Sequence, residues 1–201
     1  MAKLYFRYGT MGSAKTLNLI AVAHNYRQQG KKVLLLKPSL DARFGTDKIS
    51  SRAGLEMQAD LLVSEETDLF QLDFDGINCI LVDEAQFFSP YHIEQLRNIA
   101  LIKNIPVICY GLRTDFKSKL FPGSMRLMEL SDSIEEVKAT CFFCDKKSTM
   151  NLRHVDGKAA IDGPTIQLGA EESYFPTCYR CYYEEIKSSQ EEFERNLNLT
   201  V

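Results

Sequence analysis

An α/β fold with a mainly parallel sheet flanked by helices is predicted by three features of this 201-residue chain. Strand-like and helix-like segments alternate across residues 1–138. Two aliphatic runs, Val33–Leu36 and Cys79–Val82, are continuous, as in strands covered on both faces. The character of the chain changes after Thr140, where four cysteines bracket a segment holding Gly157, Gly163-Pro164 and Gly169. At about 150 residues per domain, the length allows one ordinary domain and a small appendage. We therefore place an α/β domain at 1–138, a smaller unit at 139–186, and a solvated or frayed tail at 187–201.

The elements follow in order. Leu4–Tyr8 is an apolar and aromatic strand that runs directly into Gly9-Thr10-Met11-Gly12-Ser13-Ala14-Lys15-Thr16. From Thr16 onward Leu19, Ile20, Ala23 and Tyr26 recur at helical spacing, and Gly30 stops the helix. Val33–Leu36 is the second strand and ends at Lys37-Pro38. Asp41–Gly54 is polar and reads as a long loop, of a kind that is often functional. Ala59–Val63 is expected as a strand, Ser64–Leu72 as a short helix, and Cys79–Val82 as a buried strand ending in Asp83-Glu84. Pro90 opens a helix to Ile102, at a position where its missing N–H costs little, and Val107–Tyr110 closes the series as one more strand. Glu184–Arg195 carries five Glu against one Lys and one Arg, the mark of a solvated helix or frayed end.

Composition narrows the partners. Apolar residues make up 45%, charged residues 25% and aromatics 10%, as in soluble globular chains. The longest apolar run, Leu19–Ala23, is five residues, against the roughly 18 a spanning helix needs, so no membrane partner is expected. Met1–Arg7 carries charge but no apolar stretch followed by a cleavage site, which points to the cytoplasm. Net charge is −3, from 24 Lys+Arg against 27 Asp+Glu, and this disfavours nucleic acid, whose non-specific binding is driven by clustered positive charge. In a reducing compartment the six cysteines are not expected to form disulfides.

Three groups of residues carry chemistry. Gly9-x4-Ala14-Lys15-Thr16 matches the phosphate-binding loop G-x-x-x-x-G-K-[ST], except that Ala14 stands where the second glycine belongs. In such a loop consecutive N–H groups and the helix N-terminus cradle phosphate oxygens, the lysine reaches the β and γ phosphates, and the hydroxyl ligates Mg²⁺. The same residues in isolation also suit an ordinary strand-to-helix turn with a solvated lysine; the preceding strand and following helix favour the phosphate loop. Asp83, at the end of a buried strand, is a candidate Mg²⁺ carboxylate, and Glu84 is a candidate general base. Alone, they would read as two carboxylates meeting solvent. Cys141-x2-Cys144 and Cys178-x2-Cys181, with 33 residues between the pairs, suit a closed tetrahedral zinc site of structural type. Cys79 and Cys109 read as small core residues, and His24, His92 and His154 as structural or solvent-facing. Phe87, Phe88 and Phe116 are core residues or walls of a pocket for a planar ring.

The ensemble resembles the thymidine kinases of the zinc-containing type, from about Lys3 to Ile186. The resemblance rests on Gly9–Thr16, Lys37-Pro38 with Asp41-Ala42-Arg43, Ser51-Arg52, Asp83–Phe88, Gly111-Leu112 with Phe116, and the two cysteine pairs with Tyr174. It implies a RecA-like P-loop domain with a zinc-binding lasso. It also implies ATP-dependent phosphorylation of the thymidine 5′-hydroxyl, and of deoxyuridine, in nucleotide salvage. On that resemblance Glu84 takes the hydroxyl proton, Lys15 and the amides of Gly9, Thr10, Met11, Gly12, Ser13 and Ala14 hold the triphosphate, and Thr16 and Asp83 serve Mg²⁺. Asp41 contributes through metal-bound water, Gln86 belongs to the nucleotide site, and Arg43 stabilises charge on the transferred group. Met11, Phe87, Leu112, Phe116 and Tyr174 enclose the thymine, which the main chain of Thr165, Ile166, Gln167, Leu168 and Gly169 reads. Feedback binding of dTTP and a homotetramer are implied as well. The departure is Ala14, where the family usually carries glycine.

Three other readings stay open on the sequence. A nucleoside monophosphate kinase with a zinc-bearing lid would need strands and helices to resume after the last cysteine, and little chain follows Cys181. A DNA-associated ATPase is opposed by the acidic balance. A binding module with an inert loop would fail to bind ATP.

Overall fold

The computed structural model describes residues 1–40, 47–165 and 173–198. It divides into two compact units: Met1–Gly9, Ala14–Arg113 and Leu120–Val137 form the first; Thr10–Ser13, Thr114–Lys119 and Lys138–Val201 form the second.

The first unit runs β1 (Leu4–Tyr8), α1 (Lys15–Gln28), β2 (Lys32–Pro38), β3 (Lys48–Ser50), β4 (Glu56–Gln58), β5 (Leu61–Val63), β6 (Ile77–Val82), α2 (Pro90–Ile102), β7 (Val107–Gly111), α3 (Pro122–Leu130) and β8 (Ser133–Glu136). Six strands pair in the order β5-β2-β6-β7-β1-β8, and every pair is parallel. The expected parallel α/β sheet is present. Its inner strands β2, β6 and β7 are buried over most of their length on both faces, which is why they read as continuous aliphatic runs, whereas the edge strand β8 is largely open to solvent. Along β6, Cys79 and Leu81 pack under α1 with Leu19, Ile20 and Ala23. Ile80 and Val82 pack on the other side with Ile93, Leu96 and Ile99 of α2 and Leu127 of α3. Because all strands are parallel, their carboxyl ends share one edge, so the turns after β1, β6 and β7 leave the sheet on the same side.

Several local expectations need correction. Ser64–Leu72 is not an α-helix; its helical part is a single 3-10 turn at Leu69–Gln71. Two N–H groups go to side chains, since Asp68 accepts from Phe70 and Gln95 accepts from Leu69, and the Gln71 and Leu72 N–H groups reach carbonyls three residues back instead of four. The sheet does not close with β7, since α3 and the edge strand β8 follow it. The polar stretch expected as loop contains β3, which pairs antiparallel with β4. Helix α2 spans the expected residues; the Ser89 hydroxyl accepts from the His92 N–H at its start. His92 itself is structural, its ring nitrogens 3.0 Å from Ser89 Oγ and 2.9 Å from the Thr67 carbonyl.

The second unit contains β9 (Met150–Val155), β10 (Lys158–Ala159), β11 (Tyr174–Thr177) and α4 (Tyr179–Asn198). The strands form an antiparallel sheet in the order β10-β9-β11. Asp156-Gly157 joins β9 to β10 with φ of 52° and 78°, the positive pair that a two-residue hairpin requires and that the Asp-Gly sequence supplies. α4 continues without a break from Tyr179 through the acidic segment to Asn198.

Candidate active site

In the first unit the phosphate-loop residues Ala14–Thr16 lead into α1. Ala14 caps the helix with φ 64° and ψ 26°, a left-handed conformation that glycine adopts readily and alanine does not. Its carbonyl accepts from both the backbone N–H and the side-chain amide of Asn18, at 3.0 and 2.9 Å. The buried Lys15 opens α1, and next to it the Thr16 hydroxyl lies 3.3 Å from each carboxylate oxygen of Asp83. Asp83 is 5% exposed and is placed by β6, its N–H donating to the Leu36 carbonyl. A hydroxyl and a carboxylate this close suit a hard cation: octahedral Mg²⁺ with ligands at about 2.1 Å sets neighbouring oxygens about 2.9 Å apart. The pair fits Mg²⁺ after a small turn of the threonine.

Glu84 sits on the same edge of the sheet, also left-handed, with φ 48° and ψ 41°. Its Oε2 accepts from Gln86 Nε2 at 2.5 Å, and Gln86 Oε1 accepts from the Leu112 N–H at 2.9 Å. The buried Gln86 therefore ties the carboxylate to the end of β7. Gly111 is required beside it, because a Cβ there would stand 2.7 Å from Gln86 Oε1 and 3.1 Å from its backbone nitrogen. Gly123 has the same role one layer away: a Cβ would stand 2.4 Å from the Phe88 carbonyl oxygen. Phe88 is core, whereas Phe87 is half-buried and meets Phe121 edge-on at 5.7 Å.

In the second unit, Met11 and Tyr174 are half-buried and Thr165 is exposed. Phe116 is 1% exposed, and the Arg153 guanidinium lies 3.8 Å from its ring centroid, a cation–π stack. Arg153 also donates to the Pro164 and Asp162 carbonyls at 2.8 and 3.0 Å. Asp41, Arg43 and Ile166, Gln167, Leu168 and Gly169 lie outside the described residues. Residues that the motifs did not flag are Ser148, Asn151 and Arg153, all buried polar groups of the second unit. Ser148 precedes β9 and Asn151 and Arg153 lie on it, in a stretch whose residue types form no motif.

The two cysteine pairs converge. All four sulfurs lie within 4.8 Å of one another, and Cys144 Sγ is 3.7 Å from the sulfurs of Cys178 and Cys181. Zinc–sulfur bonds of about 2.3 Å in a tetrahedron put sulfurs about 3.8 Å apart, so the cluster fits Zn²⁺ closely. Burial works to raise the Cys141 thiol, but the N–H groups of Cys178, Phe143 and Cys144 outweigh it and hold it down at about 7. Cys178 is likewise held low by the Cys181 N–H, whereas burial and the neighbouring sulfurs push Cys181 up to about 12, so the four thiols do not ionise alike. Burial also pushes Cys79 up to about 11 and Cys109 higher still, as inert core thiols.

A family model described as Thymidine kinase matches residues 2–182. The thymidine kinase of Lactococcus lactis is 42% identical over 190 residues, which cover 91% of this chain and 98% of that protein. The thymidine kinase of Enterococcus faecalis is 43% identical over 186 residues, covering 91% and 95%. That of Lactobacillus acidophilus is 42% identical over 194 residues, covering 91% and 97%. Among the described residues no helix is long and apolar enough to cross a membrane. The matched span holds the phosphate loop, the Asp83-Glu84 turn and the four cysteines alike, and the chain belongs to the thymidine kinase family.

Proposed function

We propose that the chain performs its family's reaction through the residues just described. As a thymidine kinase it phosphorylates thymidine in nucleotide salvage, with ATP and Mg²⁺ as the general requirements of such a kinase. The observation that carries the residue assignment is the edge of the parallel sheet in the first unit, where Thr16 faces both oxygens of Asp83 and Gln86 holds Glu84. Lys15 and the loop amides from Gly9 to Ala14 bind the triphosphate, and Thr16 with Asp83 holds Mg²⁺, which when bound neutralises charge on the phosphates. Glu84 accepts the proton of the deoxyribose 5′-hydroxyl as that oxygen attacks the γ-phosphorus and ADP leaves. Asp41 and Arg43 assist at the metal and at the transferred group. Met11, Phe87, Leu112, Phe116, Tyr174 and residues 165–169 are assigned to base recognition on the family resemblance. The cysteines hold structural zinc, in a position closed to chemistry. Acceptance of deoxyuridine, feedback by dTTP, a homotetramer and a cytoplasmic location complete the reading. We also read 1–138 as the kinase domain, 139–186 as the zinc-binding domain and 187–201 as a tail.

An ADP-release assay tests it, with ATP, Mg²⁺ and separate additions of thymidine, deoxycytidine, thymidine monophosphate and single-stranded DNA. Release with thymidine alone is expected. Release with the monophosphate or DNA instead, or none at all, refutes the assignment.

A further inference from the structure

The outer half of the phosphate loop, Thr10–Ser13, is grouped with the zinc-bearing unit, and the hydrogen bonds say why. The Met11 N–H donates to Asn151 Oδ1 at 2.8 Å, while Asn151 Nδ2 donates to the Thr114 carbonyl at 3.0 Å. Both ends of one buried amide are used, and only this orientation of it satisfies a donor on one side and an acceptor on the other. Thr10 Oγ1 lies 2.8 Å from Ser148 Oγ, which donates its own proton to the Ala139 carbonyl at 3.1 Å. The threonine is therefore the donor in the first of these bonds. Within the loop the Ser13 N–H donates to the Thr10 carbonyl, closing a turn whose third residue is Gly12 at φ 75°.

The two holding residues are themselves seated beside the cysteines. Ser148 directly follows the turn that carries Cys141 and Cys144, which is closed by the Cys141 N–H on the Lys146 carbonyl at 2.7 Å. Asn151 lies on β9 opposite Pro176, two residues before Cys178 on the neighbouring strand. Ser148 is 2% exposed and Asn151 3% exposed, so water does not substitute for either bond. A phosphate loop binds anions only while its peptide planes keep a narrow set of angles. Groups that fix the turn therefore act on nucleotide affinity without touching nucleotide.

We propose that Asn151 and Ser148 are positioning residues of the phosphate loop: through Met11 and Thr10 they hold its outer turn, Thr10–Ser13, in the nucleotide-binding conformation and so set the affinity for ATP. The proposal rests on the reading of Gly9–Thr16 as the phosphate loop. Truncating Asn151 leaves the Met11 N–H and the Thr114 carbonyl without their partner, and releases the turn.

The test uses the zinc-loaded full chain and three forms: wild type, Asn151→Leu and Ser148→Ala. The readouts are the dissociation constant of Mg·ADP by calorimetry, kcat and the KM for ATP, and zinc content with the far-ultraviolet spectrum as a check of folding. Asn151→Leu is expected to weaken Mg·ADP and raise the ATP KM at least tenfold, or 1.4 kcal/mol, with kcat at saturating ATP and thymidine changed less than threefold. Ser148→Ala is expected to shift Mg·ADP three- to tenfold in the same direction. Mg·ADP binding within twofold of wild type in a folded, zinc-loaded Asn151→Leu overturns the proposal, as does a fall in kcat with the ATP KM unchanged. If Asn151→Leu loses zinc or fold, Ser148→Ala decides by the same criteria. Wild type that binds no Mg·ADP refutes the phosphate-loop reading, and the proposal with it.

Discussion

Ala14→Gly is expected to stabilise the protein, although replacing alanine by glycine in front of a helix removes a methyl group and loosens the unfolded chain. Ala14 holds φ 64° and ψ 26°, and an L-residue there brings its Cβ against the following carbonyl at a cost of roughly 1–2 kcal/mol. Glycine removes that strain, but its freer unfolded chain takes back about 0.4–1 kcal/mol. The side chain is exposed, so no packing is lost. At the middle of these ranges the net gain is about 0.8 kcal/mol. At about 2–4 °C per kcal/mol for a chain of this size, the ligand-free, zinc-loaded protein should melt about 1–4 °C higher, as read by circular dichroism. Ala21→Gly is the control, since Ala21 is exposed in the interior of α1. There the same change should lower stability by about 1 kcal/mol, giving the opposite sign. A melting temperature for Ala14→Gly that is unchanged or lower, with Ala21→Gly behaving as stated, would refute the argument from backbone strain. Turnover should persist in both forms, because Lys15 and Thr16 are untouched.

Glu84→Gln keeps the shape and removes the base, so kcat should fall by about 10²–10⁴ with the melting temperature little changed; near-normal turnover sinks Glu84 as the proton acceptor. Gly123→Ala puts a Cβ 2.4 Å from one backbone oxygen and 2.8 Å from another, neither of which can swing aside. It should cost about 3 kcal/mol and lower the melting point by about 6–12 °C, and a drop under 2 °C contradicts the packing described. Gly111→Ala presses on Gln86, which holds Glu84, so it should lower kcat at least about tenfold while leaving ADP binding near wild type; a loss of ADP binding at unchanged kcat would reverse the assignment. Cys144→Ser removes one thiolate of four, and metal analysis should show zinc content falling well below one per chain with a lower melting temperature. Full zinc retention speaks against the tetrahedral site.

Features set by neighbours in the chain were readable in the residue string. Helix α2 was legible in its extent, Pro90–Ile102, because its opening signal is local: a proline at the first turn, where a missing N–H costs little. The cysteine pairs and Gly9–Thr16 were legible because a metal or a phosphate demands fixed residue types at fixed short spacing. Helix α3 was missed since Pro122-Gly123 looks like a turn, and the glycine proves to be there for close packing against the Phe88 carbonyl. The 64–72 segment misled in the other direction, for the Phe70 and Leu69 N–H groups are taken by Asp68 and by Gln95, a residue on another helix.

Spacing along the chain thus determines the phosphate loop, the acidic turn, the cysteine pairs and the alternation that makes a parallel sheet. What it leaves undetermined is which buried polar groups meet. The left-handed turn of Glu84, its tether through Gln86 to Leu112, and the hold of Asn151 on Met11 across 140 positions arise only when the chain is folded. Their partners are far apart in sequence, and a hydrogen bond between buried groups is decided by where the packed core brings them, which no local pattern encodes.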